Sequence, residues 1–231
     1  MKYKKSSEIK AILFDIGGVL QVPKLFVRLI QDSHLAGVPS NCGHRNRSIH
    51  EYLANKFKIL IDQWFDAIDT TYAKSIEGNL PEEKVVQIIS SNLGVSQKRF
   101  EKFVIKAFKK NFVLNKQLFK QAKILKKRGY KIAILSDQWH LSKKSLMPKS
   151  LTNHFFPVIV SCDVGMRKPN PKIYELTIKK LKLKPSEVLF IDNQEWNLRP
   201  ARKLGMKTIK FTDNGQLFSN KTWKTLFKQP V

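Results

Sequence analysis

Residues 11–20 read AILFDIGGVL: four apolar residues, then Asp15, then, after Ile16, two glycines. The short apolar run predicts a buried strand, Ala11–Phe14, ending in a glycine turn. A carboxylate at the end of a buried strand costs several kcal/mol unless it is paired. Asp15 therefore predicts both a partner and a purpose.

Working outward, three further segments have the same character: Lys131–Leu135, Val158–Val160 and Val188–Ile191, with Lys207–Phe211 a fifth candidate. Unbroken apolar runs of this kind suit strands covered on both faces. Helical periodicity fills the intervals. Asn115–Lys127 has an N-cap residue at one end and Gly129 beyond the other, Pro171–Leu181 opens on proline, and Glu195–Leu204 stops at Gly205. Strand alternating with helix predicts an α/β domain with a parallel sheet. No internal repeat or low-complexity segment is visible.

One interval breaks the rhythm. More than a hundred residues separate Asp15 from the strand at Lys131, where a crossover needs only about 30. The extra segment reads as entirely helical, with periodic apolar positions over Ser48–Ala73, Pro81–Asn92 and Gln97–Lys110, punctuated by Gly78 and Gly94. The expected organisation is a core from residues 1–20 and 113–231 with an all-helical cap, 21–112, inserted between. The residues from 216 onward are expected to form a short helix or a loose tail.

The 231 residues carry 43 Lys and Arg against 18 Asp and Glu, a net charge of +25. Such a charge can attract nucleic acid or another polyanion. The basic residues are spread along the chain, however. In KQLFKQAKILKKRGYK they alternate with Leu118, Ala122 and Leu125, which is the pattern of a solvated helix face, so solubility is the favoured explanation and nucleic acid the less favoured partner. The N-terminus does not read as a secretory leader and no apolar run reaches membrane-spanning length, so no membrane is expected. Two widely spaced cysteines, Cys42 and Cys162, suggest a reducing cytoplasm rather than a disulfide framework. Cys42, His44 and His50 match no zinc module. The oligomeric state is not legible.

Open parallel sheets bind ligands at the carboxyl ends of their strands. Those ends carry Asp15 with Gly17 and Gly18, then Ser136 and Asp137, then Arg167 and Lys168, then Asp192, Asn193 and Gln194. Asp15 can act as a nucleophile, and Lys168 can hold it ionised and neutralise a transferring phosphoryl group. Ser136 can hydrogen-bond phosphoryl oxygens, while Gly17 lets the backbone approach a ligand. Asp15, Asp192 and a backbone carbonyl could hold Mg2+. Each feature alone has a structural explanation as turn residue or cap, but four in order are hard to assign to turns and caps alone.

The pieces FDIGGVL, ILSD, GMRKPNPKIYE and LFIDN, in this order and spacing, resemble the haloacid dehalogenase (HAD) superfamily, over about residues 9–22 and 113–212. The chain is most similar to the phosphatase-like and dehalogenase-like branch with a helical cap after the first motif. The resemblance implies a Rossmann-like core. It implies a Mg2+-dependent phosphatase of a small phosphorylated metabolite, with Asp15 as nucleophile and Lys168 as charge-balancing lysine. Ser136, Asp137 and Gly18 would lie on the substrate, and Asp15, Gly17, Asp192 and Asn193 on the metal. Two positions depart from the pattern. Gly17 stands where family phosphatases carry a second aspartate, which implies another source for the leaving-group proton, worth about 10²–10⁴-fold; Asp137 and Glu195 are the candidates. Asn193 stands where a second acid is usual, which implies weaker Mg2+ binding. The alternatives are a metal-free 2-haloacid dehalogenase, to whose fourth motif Gln194–Asn197 bears a slight likeness, and a degenerate member that binds a polyanion. Trp139 and His140 are expected in the pocket or under the cap.

Overall fold

The computed structural model describes residues 8–24 and 44–228. Cys42 and the stretch 25–43 of the expected cap lie outside the described residues. Five parallel strands form the central sheet in the order β5-β4-β1-β6-β7: β1 is Ala11–Phe14, β4 Lys131–Ser136, β5 Val158–Val160, β6 Val188–Asp192 and β7 Lys207–Lys210. Every side chain of β1 and β6 is buried. Alternation along the strands sends Ile12, Phe14, Ile134 and Ile191 to one apolar cluster and Leu13, Ala133, Leu135 and Phe190 to another. Helix Lys116–Lys127 covers the first face with Leu118, Ala122 and Leu125, while Pro171–Leu181 and Glu195–Lys203 cover the second. Two buried faces are why these strands read as continuous apolar runs rather than alternating ones.

The helical insertion has its own apolar cluster around Leu53, Phe57, Trp64, Ile89, Phe100 and Val104. It comprises α1 (His44–Phe57), α2 (Ile61–Ile76), α3 (Glu82–Asn92) and α4 (Gln97–Asn111). Trp139 and Leu141, which follow β4 in sequence, pack into this cluster and tie it to the sheet.

Two expectations change, and one left open between a short helix and a loose tail is decided for helix. The insertion is not helical throughout: β2 (Gln21–Pro23) and β3 (Phe112–Leu114) pair as an antiparallel ribbon where the chain leaves and re-enters the sheet domain. Extended segments at both crossings satisfy each other's backbone groups, as two helix ends could not. Ser48–Ala73 is two helices, because Lys58 adopts a left-handed φ of 59° and the Gln63 side chain accepts the Leu60 N–H at 2.9 Å to start α2. Finally, residues 214–228 are ordered: helices Asn214–Ser219 and Lys221–Thr225 bury Trp223 and Leu217 against the sheet. Among the described residues no helix is long and apolar enough to cross a membrane.

Candidate active site

Asp15 is held at the junction of the two central strands, where its N–H donates to the Ile191 carbonyl at 3.0 Å. The turn behind it closes through Gly18 N–H to Gln21 O at 2.7 Å and Gln21 N–H to Ile16 O at 2.8 Å. Gly18 has φ +83°, and a Cβ there would lie 2.5 Å from Asn193 Nδ2. At Gly17 a Cβ would meet nothing nearer than Gln138 Nε2 at 4.0 Å. Gly18→Ala should therefore cost about 1–3 kcal/mol and displace Asn193, whereas Gly17→Ala should cost less than about 1 kcal/mol. Urea unfolding of the two variants checks this, and equal costs would contradict the turn geometry.

Lys168 is the partner that Asp15 demanded. Its Nζ lies 3.1 Å from Asp15 Oδ1 and 2.6 Å from Asp192 Oδ2, and it donates to the Leu135 carbonyl at 3.4 Å. Its backbone N–H donates to Asp137 Oδ1 at 3.1 Å. Lys168 is 3% exposed, Asp15 7% and Asp192 0%. Burial pushes the Asp15 carboxyl up to about 7, against the pull of the Lys168 cation and a Ser136 hydrogen bond and with the help of the Asp192 charge. Burial alone would lower the Lys168 pKa, but the three carboxylates around it outweigh that and raise it, so the ammonium persists. Asp137 is raised too, chiefly by burial.

A cavity of about 360 Å³ opens onto this cluster. Of the strand-end residues singled out from the sequence, Asp15, Gly17, Gly18, Asp137, Arg167, Lys168, Asn193 and Gln194 line it; Ser136 and Asp192 do not, and both are fully buried. Asp192, expected on a metal, has both oxygens engaged. Oδ1 accepts from Gln194 N–H at 2.7 Å and from Asn197 Nδ2 at 3.2 Å, and Oδ2 accepts from Asn197 Nδ2 at 3.1 Å as well as from Lys168. Asn193, by contrast, has a buried Oδ1 with no hydrogen-bond partner. Ser136 Oγ accepts from Gln138 Nε2 at 3.0 Å.

Among the other candidates, Glu195 lies away from the cavity lining and pairs with Arg202 at 2.6 Å. Trp139 lines the cavity, whereas His140 Nε2 sits 3.1 Å from the Leu80 carbonyl. Sequence reasoning missed Asn197 as the carrier of Asp192, and Tyr174, whose hydroxyl donates to the Asn197 carbonyl at 2.7 Å. Tyr174 falls on the apolar stripe of its helix, so no local signal marks it. His50, noted in the sequence only beside Cys42 and His44, lies in the helix His44–Phe57 and lines the cavity from the cap. Trp64 Nε1–H donates to its Nδ1 at 2.7 Å. An indole N–H can only donate, so the neutral imidazole, favoured because burial lowers its pKa, carries its proton on Nε2.

The family of haloacid dehalogenase-like hydrolases matches residues 9–205. Bifunctional epoxide hydrolase 2 of Mus musculus is 30% identical over 215 residues, which cover 87% of this chain and 36% of that protein; the chain thus spans little more than a third of the length of this relative. (S)-2-haloacid dehalogenase 4A of Burkholderia cepacia is 30% identical over 92 residues, 39% of this chain and 40% of the relative. Among solved structures, the HAD family enzyme bt-2542 of Bacteroides thetaiotaomicron, in complex with magnesium and inorganic phosphate, aligns with a TM-score of 0.67 at 21% identity, covering 91% of this chain and 99% of that one.

Proposed function

The chain belongs to the haloacid dehalogenase-like hydrolases, and we propose that within that family it is a phosphomonoesterase acting through Asp15. The observation that carries this is the Lys168 ammonium, 3.1 Å from Asp15 and 2.6 Å from Asp192, on the floor of the cavity. A carboxylate held against a buried cation can attack phosphorus while that cation offsets the charge gathering on the phosphoryl oxygens. One Asp15 oxygen forms the new bond to phosphorus. The bond from phosphorus to the ester oxygen breaks, and the alcohol leaves once protonated. Water then attacks the aspartyl phosphate, releasing inorganic phosphate and restoring the carboxylate. Asp137 lines the cavity with its pKa raised by burial, so it can hold the proton that the leaving alkoxide needs.

The donor set fits Mg2+ with fewer charges than Asp192 had suggested. Asp15, the Gly17 carbonyl and Asn193 Oδ1 would hold the ion, since the unpartnered Asn193 oxygen is an acceptor that a cation would satisfy. When bound, the ion would neutralise phosphoryl charge. Hydrolysis of p-nitrophenyl phosphate, followed with Mg2+ and with chelator, is the test. Turnover that rises with Mg2+ supports the proposal. Chloride release from 2-chloropropionate with no ester turnover would replace it with the dehalogenase alternative.

A further inference from the structure

The cavity has two unlike walls. Its charged groups, Asp15, Asp137, Arg167 and Lys168, all come from the strand-end loops of the sheet domain. The facing wall comes from the cap: Leu53, Trp64, Ile68, Tyr72, Phe108 and Phe112, with neighbours of the same kind. Among the described residues, no Lys, Arg, Asp or Glu of the cap lines the cavity, although 26% of the whole chain is charged. Among the described residues, the polar groups that the cap brings to this wall are few: His50 and Tyr72, besides the Trp64 indole N–H already given to His50. His50 is tied through Nδ1 to Trp64, and the Tyr72 ring packs edge-on against Trp139 with centroids 5.5 Å apart. Burial holds the Tyr72 hydroxyl neutral by raising its pKa. A polyhydroxylated alcohol placed against this wall would give up hydrogen bonds to water and find few in return, at a cost of about tenfold or more for each stranded hydroxyl. A hydrocarbon placed there gains about fourfold for each methylene removed from water.

Resting on the phosphatase proposal above, we propose that the substrate is a monophosphate ester of an apolar alcohol, alkyl or aryl, and that the aromatic cap wall is what selects it. The phosphate lies on the Lys168 floor and the hydrocarbon on Phe112 and its neighbours. Phe112 is half-buried at the start of β3 and packs against the cap's apolar cluster without being one of its fully buried members.

The experiment measures kcat/KM for methyl, butyl and hexyl phosphate and for glucose 6-phosphate, which matches hexyl phosphate in carbon number, in the native protein and in Phe112→Ser. Phe108→Leu replaces the latter if its unfolding midpoint shows that it has not folded. The expected result is a rise of roughly three- to fourfold per methylene, with hexyl phosphate preferred over glucose 6-phosphate by about 100-fold or more. The ratio of hexyl to methyl phosphate should fall about tenfold in the variant. If esters are hydrolysed but the series is flat or the sugar phosphate is preferred, the inference is overturned and the phosphatase proposal stands. A chain-length preference that survives the substitution unchanged overturns the role of the cap wall. If no phosphate ester is hydrolysed at all, the phosphatase proposal fails and this inference falls with it.

Discussion

Lys168→Met should cost the protein its turnover and about 3–5 kcal/mol of stability. Methionine keeps most of the length of the side chain but removes the ammonium that lies against Asp15 and Asp192, which are 7% and 0% exposed. Two like charges would then share a buried site, with Asn197 and the Gln194 amide as the remaining partners of Asp192. Asp15, already raised by burial and no longer pulled down by the Lys168 cation, would resist ionisation further, and a carboxyl whose folded pKa is raised loses stability as pH increases. The variant should therefore recover part of its stability on acidification toward pH 5, relative to the native protein. Turnover should fall by about 10²–10³-fold or more, as when a group facing developing charge is removed. Urea unfolding at two pH values and a phosphatase assay read both effects. A variant as stable as the native protein at pH 8 would mean that the cluster is not a charged, buried one.

Asp15→Asn should separate the two properties, abolishing turnover while leaving the fold at least as stable. Asparagine cannot form the aspartyl phosphate, so activity should drop more than about 10³-fold. On stability the sign runs the other way. Burial raises the Asp15 pKa from 3.8 to about 7, so ionising it in the folded state opposes folding. That penalty is absent below pH 4, grows as pH climbs through 7, and is constant above. Removing the charge should make the variant more stable relative to the native protein across that window, by less than about 4 kcal/mol because Lys168 also loses a partner. Loss of stability at pH 8 would show instead that the Lys168 contact outweighs the cost of burial. Function at Asp15 is thus obtained against the preference of the fold, as expected where a reactive group is placed in a buried site.

Much of this was legible from one end of the chain to the other. The strands announced themselves because both of their faces are covered, so every position had to be apolar. Once the strands were placed, the parallel topology carried Asp15, Asp137, Lys168 and Asn193 to one end of the sheet, since every parallel strand ends on the same side. Helix starts at Asn115 and Pro171 were visible for an equally local reason: Asn115 caps its own helix, accepting from Leu118 N–H at 3.2 Å, and proline suits a first helical turn.

What the tertiary structure alone decided was which of those groups is free to act. From the sequence, Asp192 and Asn193 are neighbours with similar claims on a ligand. In the fold, Asn197 and Lys168 occupy the aspartate, and the asparagine, whose residue lines the cavity, is left with a buried, unpartnered oxygen. The β2–β3 ribbon pairs Val22 with Val113, and Trp139 joins an apolar cluster belonging to helices far behind it in the chain. Local periodicity reports only whether a residue is buried, because burial follows from the helix or strand repeat. Which partner it is buried against depends on closure of the chain over many tens of residues, and no repeat encodes that. The chemistry of Asp15 was therefore written in ten consecutive residues, whereas the apolar wall facing it exists only because the cap folds back over the sheet.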